Sequence, residues 1–310
     1  MKWCMRKNKA ELNCRCVGQK GFTLVEIMVS VAILAIMSGL MVPMVYKVWE
    51  SNEKTETREK MAELKRAMVG DQRMVQNGIR MHYGFVGDNG ELPTVIADLV
   101  NNSGSFANWH GPYLVGAFDP NDYSRDAWGR NLVYTRHAPA ISAGGQEIVA
   151  TLASLGPDGL AGTSDDLDEI SDPELQILES EVWPTDKVQG NLDYVFTAAT
   201  TTPIGTLLYS RLYVIYNVPA TPGFDIAESS CFQVTVGEVL AGESKRVRQP
   251  FFQGVSAVLP VGRVTVGSHL YVAADCSGTP VPQTNEVVVY VSEGLSAVAV
   301  NLPTINFAVP

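Results

Sequence analysis

The 310-residue chain is poor in the residues that usually do chemistry. It has four histidines, at 82, 110, 137 and 269, with no two at ligand spacing, so a His/Cys zinc site is not expected. Three of its five cysteines, Cys4, Cys14 and Cys16, precede residue 21, and only Cys231 and Cys276 follow. No G-x-S-x-G, H-E-x-x-H, P-loop or dinucleotide fingerprint is found, and the glycines of GPDGLAG (156–162) lead into carboxylates that would repel a phosphate. An enzyme is therefore not expected. Basic residues are also in deficit, 23 against 33 acidic for a net charge of -10, which argues against nucleic acid as a partner. Apolar residues are plentiful: 46% of the chain is hydrophobic, enough for a sizeable core and too much for a disordered protein.

The charge is unevenly spread. Residues 1–21 hold six basic residues (Lys2, Arg6, Lys7, Lys9, Arg15 and Lys20) against Glu11, leaving 17 basic and 32 acidic residues in the remainder. From Phe22 to Val45 runs FTLVEIMVSVAILAIMSGLMVPMV, whose only charge is Glu26. A helix of that length spans about 36 Å, enough for a bilayer core of about 30 Å, so residues 22–46 read as a transmembrane helix, with a buried soluble helix as the alternative. The basic flank puts the leader in the cytoplasm and the bulk of the chain outside it. The sequence after Val45, YKVWESNEKTE, offers no small-residue signal-peptidase site.

Immediately before the apolar run stands QKGFTLVE, residues 19–26. This resembles the prepilin motif of the type IV pilin and type II secretion pseudopilin superfamily: a basic leader, Gly, an aromatic residue, then Thr-Leu-Val/Ile-Glu. The resemblance implies that residues 1–21 are a leader cut after Gly21 by a prepilin peptidase, and that Phe22 becomes the N-methylated amino terminus. It also implies that Glu26 serves assembly. A carboxylate in hydrocarbon costs several kcal/mol unless paired, and the α-amino group of a neighbouring subunit would neutralise it; snorkelling to the interface is the plainer alternative. The implied partners are other pilin or pseudopilin subunits and an inner-membrane assembly platform. The implied location is the bacterial inner membrane, single-pass with the carboxyl-terminal part periplasmic, and then a filament. Pro43 matches the family's helix-perturbing proline.

Past Tyr46 the pattern becomes amphipathic. Met61, Leu64, Met68, Val75 and Ile79 form one stripe, and Glu50/Lys54 and Glu56/Lys60 are i, i+4 pairs, so the helix is expected to continue to about Ile79. Gly84, Gly87 and DNG (88–90) should break it, with a short helical stretch at Leu92 to Val100 following. GPYL (111–114), RDAWGRNLVY (125–134) and QEIVATLASLG (146–156) read as turns feeding two strands. The order resembles the head of the major pseudopilins, whose Asp-x-Trp-Gly has Pro at x where this chain has Ala127.

The acidic stretch SLGPDGLAGTSDDLDEI (154–170) gathers carboxylates between glycines, which suits a hard cation such as calcium, or else a solvated acidic turn. The spacing is not that of an EF-hand. It resembles the calcium loop of the major pseudopilins, and by that resemblance Asp158, Asp165 and Asp166 would ligate Ca2+ through their side chains and Leu155 through its carbonyl, with Asp168 a further candidate.

The resemblance ends near residue 170. Residues 171–188 read as a linker, and 189–310 hold about eight short β-rich runs separated by turns, the pattern of an antiparallel β-sandwich. Outside the cytoplasm Cys231 and Cys276 would form a disulfide whose loop closure contributes about 3–4 kcal/mol; two buried thiols are the alternative. The expected fold is thus α+β: leader 1–21, transmembrane helix 22–46, a small pilin-like αβ head at 47–170, the linker, and the sandwich. The expected function is a filament-forming pseudopilin-like subunit of a type II secretion system. The alternative is a type IV pilus-associated minor pilin or adhesin whose β domain binds a surface ligand.

Overall fold

A computed structural model describes residues 21–77, 79–114, 122–168, 175–202, 207–281 and 285–309; the leader at 1–20 and the stretch 169–174 lie outside the described residues. The chain divides between Glu53 and Lys54 into two units.

In the first unit Thr23 caps helix α1 (Leu24–Val69), its Oγ1 accepting the Glu26 N–H at 3.2 Å. The backbone stays helical through Gly39 and Pro43. Among the described residues α1 alone is long and apolar enough to cross a membrane, with a mean hydropathy of 2.3 in its most apolar stretch. From Phe22 to Trp49 the large apolar side chains described are all exposed.

In the second unit the last turns of α1 bury Met61, Leu64 and Met68, three of the five stripe residues expected. The helix stops ten residues earlier than the stripe suggests. Gly70, at φ +87°, donates its N–H to the Arg66 carbonyl at 2.8 Å in a left-handed cap, and a Cβ there would overlap the His82 carbonyl. Val75 falls instead in β1 (Val75–Gln76), where it is exposed, and residue 79 opens β2 (Ile79–Arg80). The glycine-rich stretch expected to break the helix itself winds into α2 (Gly84–Asn89), since Gly84 lies where a Cβ would meet the Ala67 carbonyl at 2.6 Å. Within the stretch 92–100 only a 3-10 turn forms, Ile96–Leu99.

A three-stranded antiparallel sheet follows, ordered β3 (Val133–Ala143), β4 (Gln146–Ala153), β5 (Ile177–Leu178). Its residues Ala150, Leu152 and Ile177 close one core with α1, Phe85, Leu92 and Leu99. The segment expected to be a linker is therefore built into the fold over its described part: β5 completes the head's sheet, α3 (Glu179–Val182) buries Val182, and β6 (Thr185–Ala198) has already begun by residue 185. Its polar composition hides the apolar positions 175, 177 and 182, which all face the head.

The remaining strands form two layers over a shared core. One sheet runs β10 (Ser244–Leu259), β6, then β13 (Val298–Asn301) and β14 (Ile305–Val309), which share an edge of β6; the other runs β12 (Val287–Val291), β11 (Gly262–Tyr271), β7 (Leu207–Asn217), then β8 (Phe224–Glu228) and β9 (Phe232–Thr235). Alternation aims Val188, Leu192, Tyr194 and Phe196 inward against Leu212, Val214, Val264 and Val266. Pairing is mostly antiparallel, but β13 and β14 run parallel to β6. Strand β10 is bent where its pairing with β6 shifts register between Gly254 and Leu259. Cys231 and Cys276 are joined by a disulfide, their Cα atoms 5.7 Å apart.

Head and β layers meet inside this second unit. Val261 belongs to the head's core, its N–H donating to the Val182 carbonyl at 2.8 Å. Trp183 Nε1 donates to the Gly90 carbonyl at 3.1 Å, and a Cβ at Gly90 would overlap the Asn217 carbonyl. Arg80, 4% exposed in its side chain, pairs with Glu293 at 3.2 Å and donates to the carbonyls of Val69 and His82.

Candidate functional site

Two places carry the expected site residues, one in each unit. In the first, Gly21 and Phe22 lead into α1, with Phe22 76% exposed, and Glu26 stands in the first turn, exposed, with its carbonyl accepting the Ser30 hydroxyl at 2.7 Å. Its carboxylate lies among exposed apolar side chains, an arrangement that suits only a surface covered by lipid or by other apolar helices.

The second place is the acidic loop, pinned at its base by paired backbone bonds between Ser154 and Leu167, at 2.8 and 2.9 Å. The Asp-x-Trp-Gly turn holds it from below. Asp126 is buried and accepts the Ser154 hydroxyl at 2.7 Å and the Arg130 N–H at 2.8 Å, while the Arg130 guanidinium donates to the Gly156 carbonyl. Gly156 is at φ +60°, with a would-be Cβ 2.6 Å from the Asp165 carbonyl, so only glycine fits this closure. Ala127, the departure from the usual proline, uses the N–H that a proline lacks: it donates at 3.1 Å to Thr57 Oγ1, a fully buried hydroxyl on α1.

Within the loop three carboxylates converge on one hydroxyl. Thr163 Oγ1 lies 2.7 Å from Asp165 Oδ1, 3.4 Å from Asp158 Oδ1, 3.4 Å from Asp166 Oδ1 and 3.1 Å from the Leu160 carbonyl. A hydroxyl has one proton, which satisfies at most one of these four acceptors well. Loop N–H groups take up part of the remaining charge: Leu160 N–H donates to Asp158 at 2.8 Å, Gly162 N–H to Asp166 at 2.6 Å and Asp158 N–H to Asp165 at 3.3 Å. The Thr163 hydroxyl, with help from the amides of Asp158 and of Asp165 itself and from Lys54, holds the Asp165 carboxyl below the usual aspartate value.

The structure thus brings Asp158, Asp165 and Asp166 together. The Leu155 carbonyl accepts the Gly159 N–H at 3.0 Å, and the carbonyl that joins the Thr163 group is that of Leu160. Among the described residues no three Asp, Glu, His or Cys side chains already stand in chelating geometry. The donors gathered here are all oxygen, the kind a hard cation prefers. Sequence reasoning missed Thr163 and Leu160; a hydroxyl two residues before a pair of aspartates was the available signal.

Comparison with known families bears on both places. Residues 17–42 match the prokaryotic N-terminal methylation motif, and residues 54–172 match type II secretion system protein G. Both matches support the type IV pilin and type II secretion pseudopilin superfamily. It is a pseudopilin-like pilin subunit anchored by its apolar amino-terminal helix, and such families are structural subunits rather than enzymes. The matched families imply assembly with other pilin subunits and processing by a prepilin peptidase. Neither match extends into the β layers of this pilin beyond residue 172. No curated protein and no solved structure gives a significant match to the chain.

Proposed function

We propose that this pilin serves a type II secretion system as a filament subunit, cut after Gly21 in the inner membrane, methylated on Phe22, and assembled through α1 by an inner-membrane platform, with residues 54–310 in the periplasm. The observation that carries the reading is the exposed apolar surface from Phe22 to Trp49 behind a prepilin motif and ahead of a protein G head. Lipid covers that surface before assembly and neighbouring helices cover it afterwards, when the Phe22 amino group of one subunit meets Glu26 of another. Calcium bound by Asp158, Asp165 and Asp166 with the Thr163 hydroxyl would neutralise the acidic loop and stiffen the head.

The test is the amino-terminal sequence and mass of the protein from membranes and from sheared filaments. N-methylated Phe22 in the filament fraction is expected; a chain starting at Met1 and found only in membranes would overturn the assembly reading and leave an anchored protein. For calcium, the full chain in detergent should melt at higher temperature with millimolar Ca2+ than with chelator, and Asp165→Asn should abolish the difference. An equal melting temperature in both conditions sinks the calcium reading.

One observation favours a second reading, a minor or adhesive pilin. The β layers add about 125 residues to a head that would otherwise end near residue 183, and densely packed major subunits leave little room for such bulk. Placement at the filament tip, seen by immunogold with an antibody to the β layers, would favour it over labelling along the shaft.

A further inference from the structure

Where the head meets the β layers, a cleft of about 260 Å³ is walled by His82, Tyr83, Asp88 and Tyr113 on one side and by Arg263 and Tyr290 on the other. Arg263 of β11 and Tyr290 of β12 are direct cross-strand partners, so their side chains share a face of the sheet. The backbones of Gly87 and Gly262 approach so closely that a Cβ on Gly262 would lie 2.8 Å from Gly87 Cα, which brings that face against the head. Tyr290 stacks on Tyr83, ring centroids 6.0 Å apart and planes 9° from parallel, and Arg80 stands 5.1 Å from the Tyr83 ring. Tyr290 nevertheless keeps 45% of its surface exposed.

The polar groups in this cleft are largely unused by the fold. Among the described residues the exposed Arg263 guanidinium has no ion pair or hydrogen bond, and the Tyr290 hydroxyl has no hydrogen bond. Asp88 spends one oxygen on the Tyr113 hydroxyl, at 2.7 Å, with His110 3.7 Å away, and leaves the other free. His82 accepts the Asp71 N–H at Nδ1, 3.1 Å, which puts its own proton on Nε2. The Tyr83 hydroxyl is buried beside Ser292 and reaches no partner with hydrogen-bonding geometry.

We infer that this cleft binds a neutral saccharide unit. One guanidinium and one carboxylate cancel in charge, so the site selects neither anions nor cations, and no helix of useful length directs its amino terminus there to hold a phosphate. A lipid or apolar peptide would need a deeper apolar wall than stacked tyrosines beside charged groups provide. A sugar ring has what the cleft complements. Its vicinal hydroxyls match the fork of Arg263 and the free Asp88 oxygen, each hydroxyl both donates and accepts, and its C–H face packs on an aromatic ring such as Tyr290. The volume lies below the roughly 300–1,000 Å³ of pockets for drug-sized ligands, which suits one ring of a longer chain. The site needs only the second unit and is independent of filament assembly.

The test uses the full chain in a detergent without a sugar headgroup, applied to a printed array of neutral and acidic oligosaccharides. Retention of at least one neutral oligosaccharide is expected, weakened about tenfold or more by Tyr290→Ala and by Arg263→Gln, at an unchanged unfolding midpoint. Among the described residues the Arg263 guanidinium makes no hydrogen bond or ion pair, so its variant remains informative if Tyr290→Ala is unstable. No neutral oligosaccharide retained, retention of acidic sugars alone, or retention indifferent to Arg263→Gln would each overturn the proposal.

Discussion

The head and the β layers share one compact unit but are specified in different ways. The head, from Lys54 to about Trp183, has few regular strands and is held by local devices: the Gly70 cap, the Asp126 turn, the Gly156 closure and the buried Thr57 hydroxyl. The β layers rely on two-residue alternation over long strands and on a core that any set of apolar residues of suitable volume could fill. Irregular backbone leaves a residue-specific trace, because only glycine, aspartate or a hydroxyl satisfies a given turn. Regular strands leave only a pattern. The family likeness reaches residue 172, within the irregular head.

The comparison would be broken most decisively at the seam. Arg80→Met removes a buried guanidinium and leaves the Val69 carbonyl and Glu293 without it, at an expected cost of about 3 kcal/mol, the low end for a buried pair because Glu293 keeps some exposure. Denaturant unfolding of the full chain measures it. The double variant Arg80→Met/Glu293→Gln should cost less than the two singles together, and strict additivity would mean the pair does not join the two regions.

Ile177→Ala tests whether the segment 171–188, linker-like in composition, belongs to the head. Ile177 is fully buried against α1 and β4, so a loss of about 2–3 kcal/mol is expected, within a single unfolding transition. A loss under about 0.5 kcal/mol, typical of surface positions, would return the segment to a tether. Ala127→Pro should cost about 1–2 kcal/mol, because the ring removes the N–H that Thr57 accepts and leaves a buried hydroxyl unpaired. An unchanged midpoint would mean that this hydrogen bond contributes nothing.

These residues also show how much the sequence disclosed. The prepilin motif, the order of head elements and the meeting of Asp158, Asp165 and Asp166 were legible, because each rests on short-range chemistry. The end of α1 was missed since the spacing of Val75 and Ile79 continues the stripe by chance, while Gly70 looked like one glycine among many. Parallel pairing of β13 and β14 with β6 is a long-range choice that no local pattern encodes. Thr163 escaped notice because a hydroxyl acquires its role only from the loop closing around it, and the seam cleft because its walls lie some 200 residues apart.

The smallest expected effects are those of pH, and they differ in sign between the two regions. In the head, Asp165 is held below its ordinary value, chiefly by the Thr163 hydroxyl, so its contribution is present above the unfolded aspartate value and is lost as pH falls through the folded one. Asp165→Asn should therefore destabilise at neutral pH, with the deficit shrinking on acidification. At the seam, burial pushes the Glu293 carboxyl up against the opposing pull of Arg80, with Glu181, Gln72 and Lys65 also acting on it. A raised carboxyl binds its proton more tightly in the folded state, so stability falls as pH rises from the ordinary glutamate value to the folded one and is level above it. Glu293→Gln should gain on the parent protein over that window. Chemical denaturation of both variants and the parent in calcium-free buffer, across the carboxylate range, reads the two slopes, and slopes of the same sign would show that Arg80 outweighs burial at Glu293.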